Sequence, residues 1–270
     1  MVPTAARVDL LTAIGIAALV VSLGNVVHEG IGHGGACVLT GCDPQLLTSM
    51  TFTGEREEAS ELARRLIPAG GTIANLLAAV IALLWLRLTP PSAHARWYFL
   101  WLLSTLSLLE AAGYLLFSGL GNFGDWAVVV RGWQPPWLWR AGLAIAGGVA
   151  YWFIADWSMK RLAARIPGTG AARLPTAYML TLSAYATIAV VRIGAGLLDP
   201  HGVKVLLIAA VASSLGGASA LAWGPQLLRN PKDGVFAGEA LQLDRDWRWI
   251  GTGLLAAALF IGVLGPGIAL

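Results

Sequence analysis

The sequence predicts an all-α, polytopic integral membrane protein with about seven transmembrane helices, six being the alternative count. Three observations carry that expectation. Hydrophobic residue types make up 57% of the 270 residues and charged types only 12%. A soluble domain carries about 25% charge, so a solvated surface cannot be covered. The mean hydropathy is +0.69, and the apolar residues gather in runs of about 20, the length that crosses a bilayer as a helix. The third observation is the twelve tryptophans, a residue that concentrates at membrane interfaces. Disorder, a soluble α/β enzyme and a nucleic-acid binder are excluded together. The net charge is only +3 and the arginines form no basic stripe, so they read as membrane-flanking charges. No alternating ten-residue segments suggest a barrel.

In chain order the spans fall at about 10–30, 66–87, 97–118, 137–156, 176–197, 203–224 and 248–268. The first has Arg7 before an apolar run, as a signal peptide would, but no small-x-small cleavage site follows it. It reads as a retained helix. The loop 39–63 is the longest polar stretch. Its run Glu55-Arg56-Glu57-Glu58, followed by Glu61, Arg64 and Arg65, reads as a solvated short helix leading into the second span. Only Asp199-Pro200-His201 and a few neighbours separate the fifth and sixth spans, which suggests a helical hairpin. Residues 226–247 form a second polar connector. The whole is expected to be one membrane domain, residues 1–270, with a core in 1–130 and additional helices in 131–270.

With seven spans, eleven Lys and Arg fall on one side and six on the other: Arg56, Arg64, Arg65, Arg131, Arg140 and Lys204. Arg192 lies inside a span. The positive-inside rule then places the N-terminus in the cytoplasm and the end of the first span outside.

Ionisable groups inside a bilayer are costly and are functional candidates by default. The first span ends in Asn25-Val26-Val27-His28-Glu29-Gly30-Ile31-Gly32-His33. Two of the four histidines of the chain lie within these six residues beside a glutamate. Imidazole and carboxylate are zinc ligands. Zinc lowers the pKa of a bound water towards 7, and a nearby carboxylate takes the proton. The familiar HExxH spacing works because i and i+4 share a helical face. Here the spacing is HExxxH, and residues five apart lie about 140° apart on an ideal α-helix. Three arrangements would rescue the site. A π-bulge absorbs one residue; the helix ends at Gly30 or Gly32 and His33 swings in from the cap; or Glu29 and His33 are the paired ligands. The first two are favoured, with His28 and His33 as metal ligands and Glu29 as catalytic base.

The third ligand is expected to be Asp125, in Gly121-Asn122-Phe123-Gly124-Asp125-Trp126 after the third span; the alternative is an ordinary Asn/Gly turn. His94 and His201 read as surface residues. Glu110, mid-span, is an auxiliary ligand, a proton relay or the partner of Arg192. Asp156 reads as interfacial. Cys37 and Cys42 read as two free thiols rather than a disulfide loop. Gly147-Gly148 and Gly216-Gly217 read as close helix-packing sites.

Three stretches taken together, HEGIGH at 28–33, Ala69-Gly70-Gly71-Thr72-Ile73-Ala74-Asn75, and Gly124-Asp125-Trp126, resemble the site-2 protease family of intramembrane zinc metalloproteases, in particular its bacterial peptidase-like membrane branch. The likeness covers about the first half of the chain. It departs from the family in the longer HE…H spacing, in Gly71 for a proline with Asn75 one residue late, and in the absence of Asp-Gly and an upstream proline in the third motif. The resemblance implies zinc on two histidines and the late aspartate, a glutamate base, and an asparagine near the substrate strand. Asn75, and Asn122 beside Asp125, are then the substrate-binding candidates. It further implies a membrane-spanning protein or peptide substrate, the lipid bilayer as the other partner, no nucleic acid, and a bacterial inner or plasma membrane location. Many members of the family open their site towards the cytoplasm, against the charge count.

Three functions follow. The favoured one is a zinc-dependent peptidase acting within the membrane. The second is a zinc-dependent lipid amidase or related lipid hydrolase, for which this chain has few placed histidines. The third is non-catalytic, a metal transporter or a scaffold. A transporter requires polar groups along a path across the bilayer, whereas here they cluster around 28–33 and 125.

Overall fold

The computed structural model describes residues 5–55, 60–203 and 216–270. Among the described residues, six helices are long and apolar enough to cross a membrane. The protein is therefore an all-α, polytopic integral membrane protein. The expected span at 203–224 lies mostly in residues 204–215, outside the described residues; Ala220–Trp223 is a short helical turn, continued by a 3₁₀ segment, Gly224–Leu228.

The first long helix runs Leu10–Leu39 without a break. Its opening α-helical part, α1, is Leu10–Asn25, capped by Asp9, whose carboxylate accepts from the Thr12 amide. From Val26 to Gly34 the helix is π, and Gly35–Leu39 returns to α. Helix α2, Glu61–Leu88, starts on a Ser60 cap. Glu61, Arg64 and Arg65 thus belong to the membrane helix itself, with Arg65 paired to Glu61 one turn away. Glu55 ends a strand, and residues 56–59 lie outside the described residues. Helix α3, His94–Gly121, is the enclosed one: Tyr98 and Trp101 are fully buried along it. It ends at Asn122 in the left-handed conformation (φ 55°). A short helix α4, Asp125–Val129, follows, then α5, Pro136–Ala163, with proline in its first turn. Helix α6, Leu174–Gly196, and α7, Trp247–Leu259, complete the set; α7 continues as a π turn to Leu264.

The elements sort to two ends of the bundle. At one end β1 (Arg7–Val8) pairs with β4 (Gln242–Leu243), Arg245 bonds Asp9, Arg165 donates to the Pro91 carbonyl, and Arg173 donates to the Asp233 and Gly234 carbonyls. The other end holds a small sheet that the sequence did not announce. In the stretch expected to be a solvated connector, β2 (Asp43–Leu47) and β3 (Phe52–Glu55) form a hairpin, joined by β5 (Ile268–Ala269) on the β2 edge. Thr48, in the turn, donates to Asp199 at the end of α6 (2.7 Å).

Cys37 and Cys42 form a disulfide, Cα atoms 4.8 Å apart, against the expectation of two free thiols. The turn after Leu39 brings Cys42 back over the last helical turn, within bridging distance. Of the glycine pairs, Gly147 meets the α3 backbone at Ala112 and Leu116, and Gly216 lies on the Phe117 ring, while Gly148 and Gly217 leave ordinary space. Asp156 is a half-buried partner of the exposed Lys160 (2.8 Å).

Candidate metal centre

The π segment resolves the spacing problem. In an α-helix His28 and His33 would diverge; in a π-helix backbone bonds close between i and i+5, so residues five apart share a face. The Gly35 amide bonds the Gly30 carbonyl in this way. The two imidazoles come to 4.9 Å between ring centroids, nearly perpendicular. The helix does not end at Gly30 or Gly32.

Two glycine contacts hold the π segment against α2. A Cβ on Gly32 would stand 2.5 Å from the Gly71 Cα and 2.8 Å from the Gly70 carbonyl, and one on Gly70 would strike the Gly32 carbonyl. The glycines here permit backbone contact rather than unusual torsions. Gly71 also faces the rings: a Cβ there would lie 2.5 Å from His28 Nε2 and 2.7 Å from His33 Nε2.

Asp125 enters from the start of α4. Gly124 (φ 79°) makes the turn that sends the chain back after α3, and the Trp126 indole donates to Thr72 Oγ1 (3.0 Å), docking α4 on α2. Asp125 Oδ2 then lies 3.4 Å from His28 Nε2 and 3.5 Å from His33 Nε2. His28, His33 and Asp125 each offer a ligand atom, all within 4.8 Å of one another. A tetrahedral zinc with ligands at about 2.0–2.1 Å has ligand–ligand edges of about 3.3 Å, and the two edges to Asp125 match that value. His28 Nε2 and Asp125 Oδ2 are buried and have no hydrogen-bond partner. The donor set and the two edges to Asp125 therefore fit a metal ion held by imidazole and carboxylate.

The far sides of the rings are held as metal-ligating histidines usually are. His33 Nδ1 lies 2.7 Å from the Ile67 carbonyl, so it donates there and presents Nε2. Asn75 Nδ2 lies 3.1 Å from His28 Nδ1, while Asn75 Oδ1 is buried without a hydrogen-bond partner. With that amide turned so that Oδ1 faces His28, Nδ1–H is satisfied and Nε2 is left for the metal; oxygen and nitrogen of an amide are distinguished only by such bonding. Tyr114 stacks on the other face of His28 (4.6 Å, 18°). Burial works against ionisation of Asp125, but while His28 and His33 carry protons on Nε2 they outweigh it and hold the carboxyl below the usual carboxylate range; a metal would take the place of those protons.

Glu29 is buried beside the triad, Oε2 4.0 Å from His33 Nε2. It faces a cleft of about 310 Å³ that also touches His33, Asp125, Phe52 and Phe123. Behind it a chamber of about 20 Å³ reaches Asn25, Glu110 and Arg192, room for about one water. Glu110 pairs with Arg192, which also donates to Asn25 Oδ1 through Nε (3.0 Å). Of the expected site residues, His28, Glu29, His33, Asp125 and Asn75 come together. Asn122 does not: it is the exposed cap of α3. Glu110 stands one layer back. His94 lies near Glu239 (3.9 Å), and His201 bonds Asp199 (2.9 Å). Sequence reasoning did not find Tyr114, Thr72 or the Ile67 carbonyl.

No protein-family model matches the chain, and neither does any curated protein or solved structure.

Proposed function

We propose that the protein is an intramembrane metal-dependent hydrolase, most simply a site-2-protease-like peptidase. The observation that carries the reading is the π-helical turn, which aims His28 and His33 at one point with Asp125 while leaving Glu29 beside them. His28 Nε2 and Asp125 Oδ2 are buried with no hydrogen bond to any other group, facing each other at 3.4 Å, which leaves both atoms turned towards the point where an ion would sit.

His28, His33 and Asp125 would hold the zinc ion, which when bound would supply a Lewis acid to polarise a carbonyl and acidify water. The residues of the chain do the rest. Glu29 accepts the proton of the attacking water and delivers it to the departing nitrogen. Ile67 and Asn75 fix the ring tautomers, and Tyr114 holds the plane of His28. Amides in a helix are hydrogen-bonded and sterically shielded, so a membrane-spanning substrate has to unwind before one of them can be cut. Phe52 and Phe123 supply apolar walls for it.

The test is Glu29→Gln on purified protein against a panel of single-span membrane peptides, cleavage read by mass spectrometry and metal content by elemental analysis. The variant is expected to keep its metal and lose cleavage. Full cleavage by Glu29→Gln rejects the mechanism. Hydrolysis of lipid amides by the unaltered protein, with no peptide cut, moves the substrate class to lipids.

A further inference from the structure

We propose that the metal cleft opens on the oxidising, non-cytoplasmic side of the membrane, where the Cys37–Cys42 disulfide clamps the hairpin that walls it. Two unrelated observations converge on this, and neither depends on the hydrolase reading.

The first is the distribution of basic residues over the two ends of the bundle. The end where β1 meets β4 carries Arg7, Arg87, Arg96, Lys160, Arg161, Arg165, Arg173, Arg229, Lys232, Arg245 and Arg248, eleven in all. These are joined by contacts already given, such as Arg245 to Asp9 and Arg173 to Gly234. The end that carries the hairpin has four among the described residues: Arg64, Arg65, Arg131 and Arg140. Basic residues in short loops stay cytoplasmic, so the hairpin end is outside.

The second is the disulfide at that same outer end. Disulfides form and persist in oxidising compartments and are rare in the cytosol. It also touches the cleft wall. A Cβ on Gly54 of β3 would lie 2.6 Å from Cys42 Sγ and 2.8 Å from Cys37 Sγ, so the bridge rests directly on that strand. Two residues away, Phe52 lines the cleft and lies against Gly34 of the π segment. Asp125, Phe123 and Gly124 border the cleft from the α3–α4 turn, at the same end. The chemistry is thus presented to groups on the outer side of the membrane, such as the exoplasmic part of a spanning segment.

The experiment uses the full chain in intact cells and a membrane-impermeant maleimide. Arg131→Cys reports the cleft end and the exposed Val235→Cys the basic end; Phe123→Cys, on the lip of the cleft, is a second reporter should Arg131→Cys not accumulate. Arg131→Cys or Phe123→Cys is expected to label without permeabilisation, and Val235→Cys only after it. The reverse pattern overturns the orientation. On the unsubstituted chain, denatured and treated with a polyethylene-glycol maleimide, no mass shift is expected until reductant is added, and then a shift of two adducts. Two adducts without reductant overturn the clamp.

Discussion

Replacing Gly71 by alanine is the sharpest probe of the convergence of the two imidazoles. The new methyl carbon would sit 2.5 Å from His28 Nε2 and 2.7 Å from His33 Nε2, where a zinc ion would be about 2.0–2.1 Å from each. It also lies 2.6 Å from His28 Cε1, so it crowds the ring edge beside the point where the two Nε2 atoms converge. Carbon contacts settle at about 3.5–4.0 Å, so each ring tip must retreat by about 1 Å, whereas metal–ligand distances tolerate about 0.2 Å. At least one imidazole is lost from the coordination sphere. Metal affinity is expected to fall by at least 100-fold, about 2.7 kcal/mol. The helix itself does not suffer, since alanine is favoured over glycine by about 1 kcal/mol in a helix interior. Competition with a chelator of known affinity reads the metal, and far-ultraviolet circular dichroism reads the helix. Unchanged affinity in Gly71→Ala, with helicity retained, would refute the argument that both histidines point at one site.

Other perturbations separate packing from chemistry. Gly32→Ala drives a methyl into the Gly70–Gly71 backbone and should cost about 1–3 kcal/mol; Gly24→Ala, with nothing within 4 Å, should gain up to about 1 kcal/mol, and equal melting temperatures for the two variants would contradict the close contact of the π segment with α2. Arg192→Met leaves the Glu110 carboxylate buried without its partner and should cost about 3–5 kcal/mol, much of it regained in Arg192→Met/Glu110→Met; a single variant as stable as the parent in a thermal melt would show that the pair is not buried as described. The Asp9 carboxyl is held below its ordinary value by the Thr12 amide and then by Arg245. A lowered folded pKa gives stability that is present above the unfolded value of 3.8 and lost as the pH falls through the folded one. Melting temperatures should therefore drop between about pH 5 and 3, with a shallower drop in Asp9→Ala; identical slopes would remove Asp9 from the account.

The membrane architecture was legible because each span is a long apolar run that no other fold explains. The triad was nearly legible. His28, Glu29 and His33 are polar residues where lipid exacts a penalty, and Gly124 marks the turn that delivers Asp125. The geometry that joins them was open, because a five-residue step converges only if the backbone leaves α-helical form. Asn122 illustrates the opposite confusion: a Gly-Asn-Phe-Gly run looks alike whether it binds a ligand or, as here, caps a helix with a left-handed residue. Tyr114 left no trace, since one more aromatic in an apolar span is unremarkable until it stacks on His28. The hairpin at 43–55 was hidden because its support comes from far away in sequence: Ile268–Ala269 on one edge and the disulfide against Gly54. Pairings of that kind carry no local periodicity.

On the function proposed here, the π-helical turn builds a metal centre from His28, His33 and Asp125. Elemental analysis of the purified protein, alongside His28→Ala, His33→Ala and Asp125→Ala, tests it directly. One zinc-type ion per chain is expected in the parent protein and is lost in each variant, with far-ultraviolet circular dichroism unchanged. A metal content unaltered by all three substitutions would contradict it.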